Sequence, residues 1–378
     1  MSRSVTISLY CMYEWWQAFF YDHYPRPAVP SDAALEQVYL ARQKFLYEHF
    51  GEFGIGDPAP TITGDYVNMI ARYSLDFVPS LFGVELKAYE GGGFTPTPLP
   101  EEIIRQLRPI SFADPPMADW ILRRAEKLKS RYGSAVSNIA LEGPLNLAYR
   151  IRGEDFFLDL YEEPELAHHL LDVITETILE VYRFQREVFG LKEYTIANCL
   201  ASSMLSPATY GEFGLPRDRR LAVAGPELTG GPDRVRMHHC DALIDSFAPY
   251  YAQVPHIKEV EARSTSDYGI IRRYFPGASV SAMVNCRAIA TKSIPDLLRE
   301  DIEPALREDI TASIDLWTFS TETPPERLKE LMTAIRDLCR QHDVEPVWSM
   351  HPFYWEELEW AYPWWEPHLD HWVQTLGA

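Results

Sequence analysis

Met237-His238-His239-Cys240-Asp241 is the densest run of chemically competent side chains in the sequence, and it ends a β-rich run, 235–240. Side chains alternate faces along a strand, so His238 and Cys240 share one face and His239 takes the other. One imidazole nitrogen and one thiolate at that spacing suit a borderline-soft cation such as Zn²⁺. A buried His–Cys pair without metal satisfies the same spacing. Two protein donors are too few for a zinc site, so a third must come from a neighbouring strand end. Cys286, beside Asn285, is the first choice and Glu261 the second. Cys286 also fits a small buried hydrophobe, and Glu261 an ion-pair partner for Arg263 or Arg287. Glu261 and His239 are the candidate acid–base groups.

These residues need elements to bring them together. β-rich runs recur at 135–141, 194–199, 235–240, 257–262, 278–285, 311–319 and 344–350, with helix-like segments between them. The clearest helix starts at Pro164 and carries Leu166, Leu170, Val173, Thr177, Val181, Phe184 and Val188 at three- and four-residue spacing, with Gly190 as its stop. Strand–helix alternation implies parallel strands with helical crossovers. With an eighth strand expected at Val84–Tyr89, the α/β architecture is a (β/α)8 barrel. Residues 1–75 are expected as a mainly helical extension packed on a 76–378 barrel, one structural domain overall. An open doubly wound sheet is the competing arrangement, but no G-x-G-x-x-G or P-loop pattern follows any strand. Chemistry in a parallel barrel sits at the C-terminal strand ends. That makes Glu142, Asn198, 238–240, 261–264, Asn285-Cys286, 317–320 and 348–351 the residues of interest.

Aromatic residues make up 13% of the 378 residues and gather near the two ends, which points to an aromatic-lined pocket or to packed terminal segments. Trp16 and Trp317, with Trp15 and Trp348, are the candidate wall, able to stack on a phenyl ring or enclose a methylammonium. Asn198 is a candidate for orienting a substrate, and Asp76 a further acidic position. Lys+Arg number 35 against 55 Asp+Glu, a formal charge of −20, which disfavours nucleic acid and anionic membranes as partners. Five dispersed cysteines do not make a disulfide framework. No apolar run reaches the roughly 18 residues of a spanning helix. The N-terminus lacks the features of a signal peptide, so the expected location is the cytoplasm.

Several segments resemble the uroporphyrinogen decarboxylase superfamily. They are Leu141-Glu142-Gly143-Pro144-Leu145-Asn146-Leu147-Ala148, the stretch from Arg152 to Glu165, Leu205-Ser206-Pro207 with Tyr210, Phe213 and Pro216, His239-Cys240-Asp241, and Thr323 to Leu328. The resemblance covers about residues 70–340 and implies a (β/α)8 barrel. It also implies one of two chemistries. Porphyrinogen decarboxylases hold substrate carboxylates with an arginine-rich N-terminal motif, whereas this chain has Tyr13-Glu14-Trp15-Trp16-Gln17-Ala18. The corrinoid-dependent methyltransferases are the closer branch. Several carry an H-x-C pair and a distant Cys that hold zinc as a Lewis acid; here Trp317-Thr318-Phe319-Ser320 occupies the place of that distant Cys. No cobalamin-binding D-x-H-x-x-G is present, so the resemblance implies a cobalamin carried by a partner corrinoid protein. The expectation is a methyltransferase component acting on a small methyl ether or methylamine, with zinc at His238, Cys240 and Cys286. The alternatives are a metal-independent decarboxylase or lyase, and a barrel that only binds ligand.

Overall fold

The computed structural model describes residues 3–21, 23–24, 32–64, 72–73, 77–89, 93–112, 115–133, 138–139, 141–190, 195–198, 203–229, 235–239, 243–318 and 321–351. Its strands are β1 (Arg3–Cys11), β2 (Arg72–Tyr73), β3 (Glu85–Tyr89), β4 (Gly93–Thr97), β5 (Asn138–Ile139), β6 (Thr195–Ala197), β7 (Val235–His239), β8 (Ile257–Arg263), β9 (Ser279–Val284), β10 (Thr311–Thr318) and β11 (Val344–Met350). Each of the seven runs expected from residue 135 onward therefore contains a described strand. The chain divides into two compact units. The first holds 1–66, 243–245 and 260–362; the second holds 67–242, 246–259 and 363–378.

In the first unit the strand order is β11-β1-β10-β9-β8. β1 pairs in parallel with both β10 and β11, and β10 with β9. The N-terminal extension is largely helical, with helices Tyr13–Phe19 and Asp32–Phe50, but it opens with a central strand. The cause lies in Val5, Ile7 and Leu9 alternating with Thr6, Ser8 and Tyr10. That period of two gives the segment one apolar face and one polar face. Val5, Ile7 and Leu9 are all buried, as are Ile314 and Leu316 of β10 and Val280, Ala282 and Val284 of β9. This apolar face is the one the helices cover. Helix Pro325–Gln341 buries Leu328, Leu331, Met332, Ile335 and Leu338. It is tied to Glu52, just past the Asp32–Phe50 helix, through Lys329 (3.0 Å) and Arg336 (3.3 Å).

In the second unit β6 pairs in parallel with β7, and β2 with β5. Helix Pro164–Phe189 runs as its spacing predicts and stops at Gly190, which has a left-handed φ of 69° and gives its N–H to Arg186. Helix Leu215–Thr229 is bound to it by Arg217–Asp172 (2.6 Å) and Arg220–Glu176 (2.5 Å). The expected eighth barrel strand at Val84–Tyr89 is instead one arm of an antiparallel hairpin, β3 with β4. Glu85 and Lys87 are both exposed, so the segment lacks the continuous apolar run of a buried parallel strand.

Candidate active site

Parallel partners share a face, so the register of the first unit assembles its polar side residue by residue. Ser8 lies beside Asp315 and Ser349, and Tyr10 beside Trp317. Ser281 lies beside Ser313, and Met283 beside Asp315. The serine hydroxyls link neighbouring strands: Ser8 to Ser349 at 2.8 Å and Ser313 to Ser281 at 2.8 Å. Ser281 in turn donates to the Asp315 carboxylate, which is 1% exposed. This level is thus a buried, hydrogen-bonded belt carrying one carboxylate.

Two residues further along the strands the belt gives way to rings. Tyr10 is sandwiched between Trp317, with centroids 4.6 Å apart and planes within 13°, and His351, at 4.3 Å and 15°. His351 is held at that level by its backbone N–H to Leu9 O, 2.8 Å. Trp317 and His351 are half-buried while Tyr10 is nearly covered, so the stack is a rigid ladder reaching the C-terminal strand ends. Glu261 and Arg263 lie on β8, two residues apart and hence on one strand face; Glu261 is 2% exposed.

The other candidate tryptophans are structural. Trp16 is fully packed: its indole N–H donates to Cys11 O at 2.9 Å and the Arg42 guanidinium covers its ring at 4.4 Å. Trp15 is equally buried and donates to Thr323 O at 2.7 Å. Trp348 is in register with Ile7, on the apolar side, and meets Phe53 edge-on at 4.9 Å. Trp16 is therefore not a substrate wall. Of the four, Trp317 alone stands on the polar face.

In the second unit β7 alternates buried Val235, Met237 and His239 with half-buried Arg236 and His238. His238 thus lies opposite His239, as alternation requires. His239 is 0% exposed, shares a 2.9 Å hydrogen bond with the Tyr251 hydroxyl and packs on Phe247. It packs with helix Ala248–Tyr251, on the face of β7 opposite His238. Arg236, on the His238 face, pairs with Glu259 at 3.1 Å.

Asn198 lies at the end of β6. It is 0% exposed, and both ends of its amide are engaged. Nδ2 donates to the two oxygens of Asp218 at 2.8 and 2.9 Å, and Oδ1 accepts from the Leu145 N–H at 3.1 Å. Its described contacts are those of a brace between elements. Tyr210 completes the cluster by donating to Asp218 at 2.6 Å. Burial is the main reason the Asp218 carboxyl is pushed up to about 7, against the opposing pull of the bonds from Tyr210 and Asn198. The Asn198 amide touches the turn that carries Glu142, whose carboxylate is held by Arg150 and by Asn146 at 3.3 Å.

Cys240 and Asp76 lie outside the described residues. Cys286 opens helix Cys286–Thr291 as a half-buried free thiol behind the Asn285 cap. Among the described residues no three His, Cys, Asp or Glu side chains gather closely enough to hold a metal ion. Because Cys240 lies outside those residues, the expected set of His238, Cys240 and Cys286 cannot appear among them, and no step below is routed through a metal. Cys11 and Cys339 are poor nucleophiles, since burial pushes their thiols up to about 12 and about 11. No helix among the described residues is long and apolar enough to cross a membrane.

The sequence signals for what was missed were present in part. Tyr10 and Ser8 follow from the period-two pattern of residues 5–10. Tyr210 entered only as part of a family-like segment, and Asp218 gave no signal, because a buried acid on a helix is identified only by what covers it.

Comparison with known proteins agrees with this architecture. No curated protein matches the sequence. Among solved structures, the chain is similar to a methyltransferase from Methanosarcina mazei at 14% identity, covering 89% of this chain and 94% of that one with a TM-score of 0.50. At that identity the likeness shows the fold, an α/β barrel of the (β/α)8 class. A family model described as uroporphyrinogen decarboxylase (URO-D) matches residues 68–264, just over half of the sequence, and the chain belongs to that family.

Proposed function

We propose that the chain is a methyltransferase component that moves a methyl group between a small organic substrate and a cobalamin carried by a partner protein. The observation that carries this reading is the polar face of β1, β9, β10 and β11. The described side chains of these four strands form a three-ring ladder above a hydroxyl belt that holds the Asp315 carboxylate, with no Lys or Arg on that face of them; the neighbouring β8 adds Glu261 and one cation, Arg263. A polycarboxylate such as a porphyrinogen needs several cations to neutralise it. A ring-lined face with a single described arginine suits instead a compact methylamine or aryl methyl ether. The similar methyltransferase supports the same direction.

In this reading Trp317 is the substrate wall, fixed in orientation by Tyr10, and Ser281 holds the Asp315 carboxylate in place beneath it. Glu261 is the proposed acid–base group. His238, Cys240 and Cys286 are the proposed zinc ligands; zinc, when bound, supplies Lewis-acid polarisation of the methyl-bearing or methyl-accepting atom. The test supplies the purified chain with isotopically methyl-labelled amines and aryl methyl ethers and with free reduced cobalamin. Label should reach cobalamin with at least one donor class, and Trp317→Ala should raise KM for that donor. No label transfer from either class removes the proposal. Metal analysis of the wild type and of Cys240→Ala tests the zinc separately.

A further inference from the structure

A backbone hydrogen bond extends the register of the first unit's polar face to β8. The Ser264 N–H donates to Met283 O at 2.8 Å. In a parallel ladder that bond sets Arg263 beside Met283 and Glu261 beside Ser281. Met283 in turn lies beside Asp315, and Asp315 beside Ser8. One row of the face therefore runs Arg263, Met283, Asp315, Ser8 across four neighbouring strands. Its two charges are opposite in sign and two strands apart, about 10 Å between backbones. Arg263 is half-buried at the last residue of β8, and Asp315 is buried. Trp317 stands two residues beyond Asp315, on the same face of β10.

Tyr10, on β1, covers one face of Trp317, so a ligand stacking on the indole uses the face turned toward β9. There β9 ends at Val284, and the Asn285 side chain serves its own helix, accepting from the Arg287 and Ala288 N–H groups at 3.0 and 3.4 Å. One level below that face lie Asp315 and Met283, with Arg263 one strand further on. Indole is the best side-chain ring for holding a methylated ammonium, and a nearby carboxylate supplies the counter-charge. A bare ammonium at this place is also repelled by Arg263, and a bare carboxylate by Asp315 and Glu261. A ligand bearing both charges, laid head to tail with the Arg263–Asp315 pair, is attracted at both ends and leaves the net charge of the face unchanged. Arginine suits the carboxylate end, because its guanidinium offers two parallel N–H donors.

Resting on the methyl-transfer reading above, we propose that the methyl donor is a compact dipolar ammonium carboxylate, an N-methylated amino acid, held at its ammonium by Trp317 and Asp315 and at its carboxylate by Arg263. In the transfer the N–CH3 bond breaks with its electron pair left on nitrogen. The new bond to the methyl carbon uses the electron pair of the reduced cobalamin, and the ammonium becomes a neutral amine. A quaternary donor needs no acid for this step, whereas an ether oxygen that leaves as an anion does.

The test is isothermal titration calorimetry of the purified chain with three compounds of similar shape. Trimethylglycine carries both charges. The anion of tert-butylacetic acid has carbon in place of the nitrogen, and choline has a hydroxymethyl group in place of the carboxylate. Trimethylglycine should bind, and each of the others at least about tenfold more weakly. Arg263→Gln should erase the preference over choline while keeping that over tert-butylacetate, and Asp315→Asn should do the reverse. A merely structural role lowers binding of all three together and leaves the ratios unmoved. Wild-type chain that binds either single-charge compound as tightly as trimethylglycine, or that binds no trimethylglycine, overturns the proposal even if a variant fails to fold. Label from methyl-labelled trimethylglycine should also reach free reduced cobalamin. Transfer from an aryl methyl ether with none from trimethylglycine overturns the donor assignment and leaves the methyl-transfer reading standing. No transfer from any donor removes that reading, and the donor assignment with it.

Discussion

Replacing Gly143 by Ala adds one methyl group at the most tightly enclosed of the described glycines of the second unit. The Gly143 backbone is extended, φ −74° and ψ 168°, a conformation open to any residue, so backbone strain contributes nothing. The effect is steric. The new Cβ would meet the Asn198 amide at 2.3–2.9 Å, well inside ordinary contact, and that amide is bonded to Asp218 on one side and to Leu145 on the other. Overpacking of this kind costs about 1–3 kcal/mol. Displacing the amide breaks at least one buried hydrogen bond, adding about 1–3 kcal/mol. The expected loss is therefore about 2–6 kcal/mol in the free energy of unfolding, read by urea denaturation. Asn198→Ala removes the obstacle, so Gly143→Ala made in that background should cost under about 1 kcal/mol, a coupling visible in the double-mutant cycle. A Gly143→Ala protein within about 0.5 kcal/mol of wild type, or an additive cycle, refutes the reasoning.

Trp16→Phe loses the bond to Cys11 O and weakens the contact with Arg42, so it should destabilise by about 1–3 kcal/mol in denaturant unfolding while leaving substrate KM unchanged. Tyr10→Ala removes the ring between Trp317 and His351; in a methyl-transfer assay KM for the donor should rise, and the indole of Trp317 should show faster fluorescence depolarisation. Global stability should also carry the Asp218 signature. Because its carboxyl is raised in the folded state, from 3.8 to about 7, the folded protein holds the extra proton, and unfolding free energy falls as pH rises from about 4 to 7. About three units correspond to roughly 4 kcal/mol at most. Asp218→Asn should lose that slope in pH-dependent urea titrations, and a slope identical to wild type contradicts the assignment.

Long periodic elements were legible in the sequence. Helix Pro164–Phe189 follows its apolar spacing and glycine stop, and the seven strands after residue 135 lie where β-rich runs alternate with helical segments. The strand Arg3–Cys11 was obscured because the adjoining Tyr13-Glu14-Trp15-Trp16 segment is helical and aromatic, although Val5, Ile7 and Leu9 alternate cleanly with Thr6, Ser8 and Tyr10. Trp317 keeps its expected place at a strand end, whereas Trp15, Trp16 and Trp348 fill the body. Tryptophan content does not distinguish these uses; only strand register does. His239 and Asn198 were chosen for their chemistry at strand ends, but burial commits both to Tyr251, Asp218 and Leu145, contacts that no sequence spacing encodes.

Methyl transfer and porphyrinogen decarboxylation, measured side by side on one preparation of the purified chain, test the central claim most directly. The cation-poor strand face of β1, β9, β10 and β11 predicts transfer of a labelled methyl group from an amine or aryl ether to cobalamin, with no conversion of uroporphyrinogen to coproporphyrinogen. Conversion of uroporphyrinogen at an enzymatic rate, with no label reaching cobalamin, contradicts it.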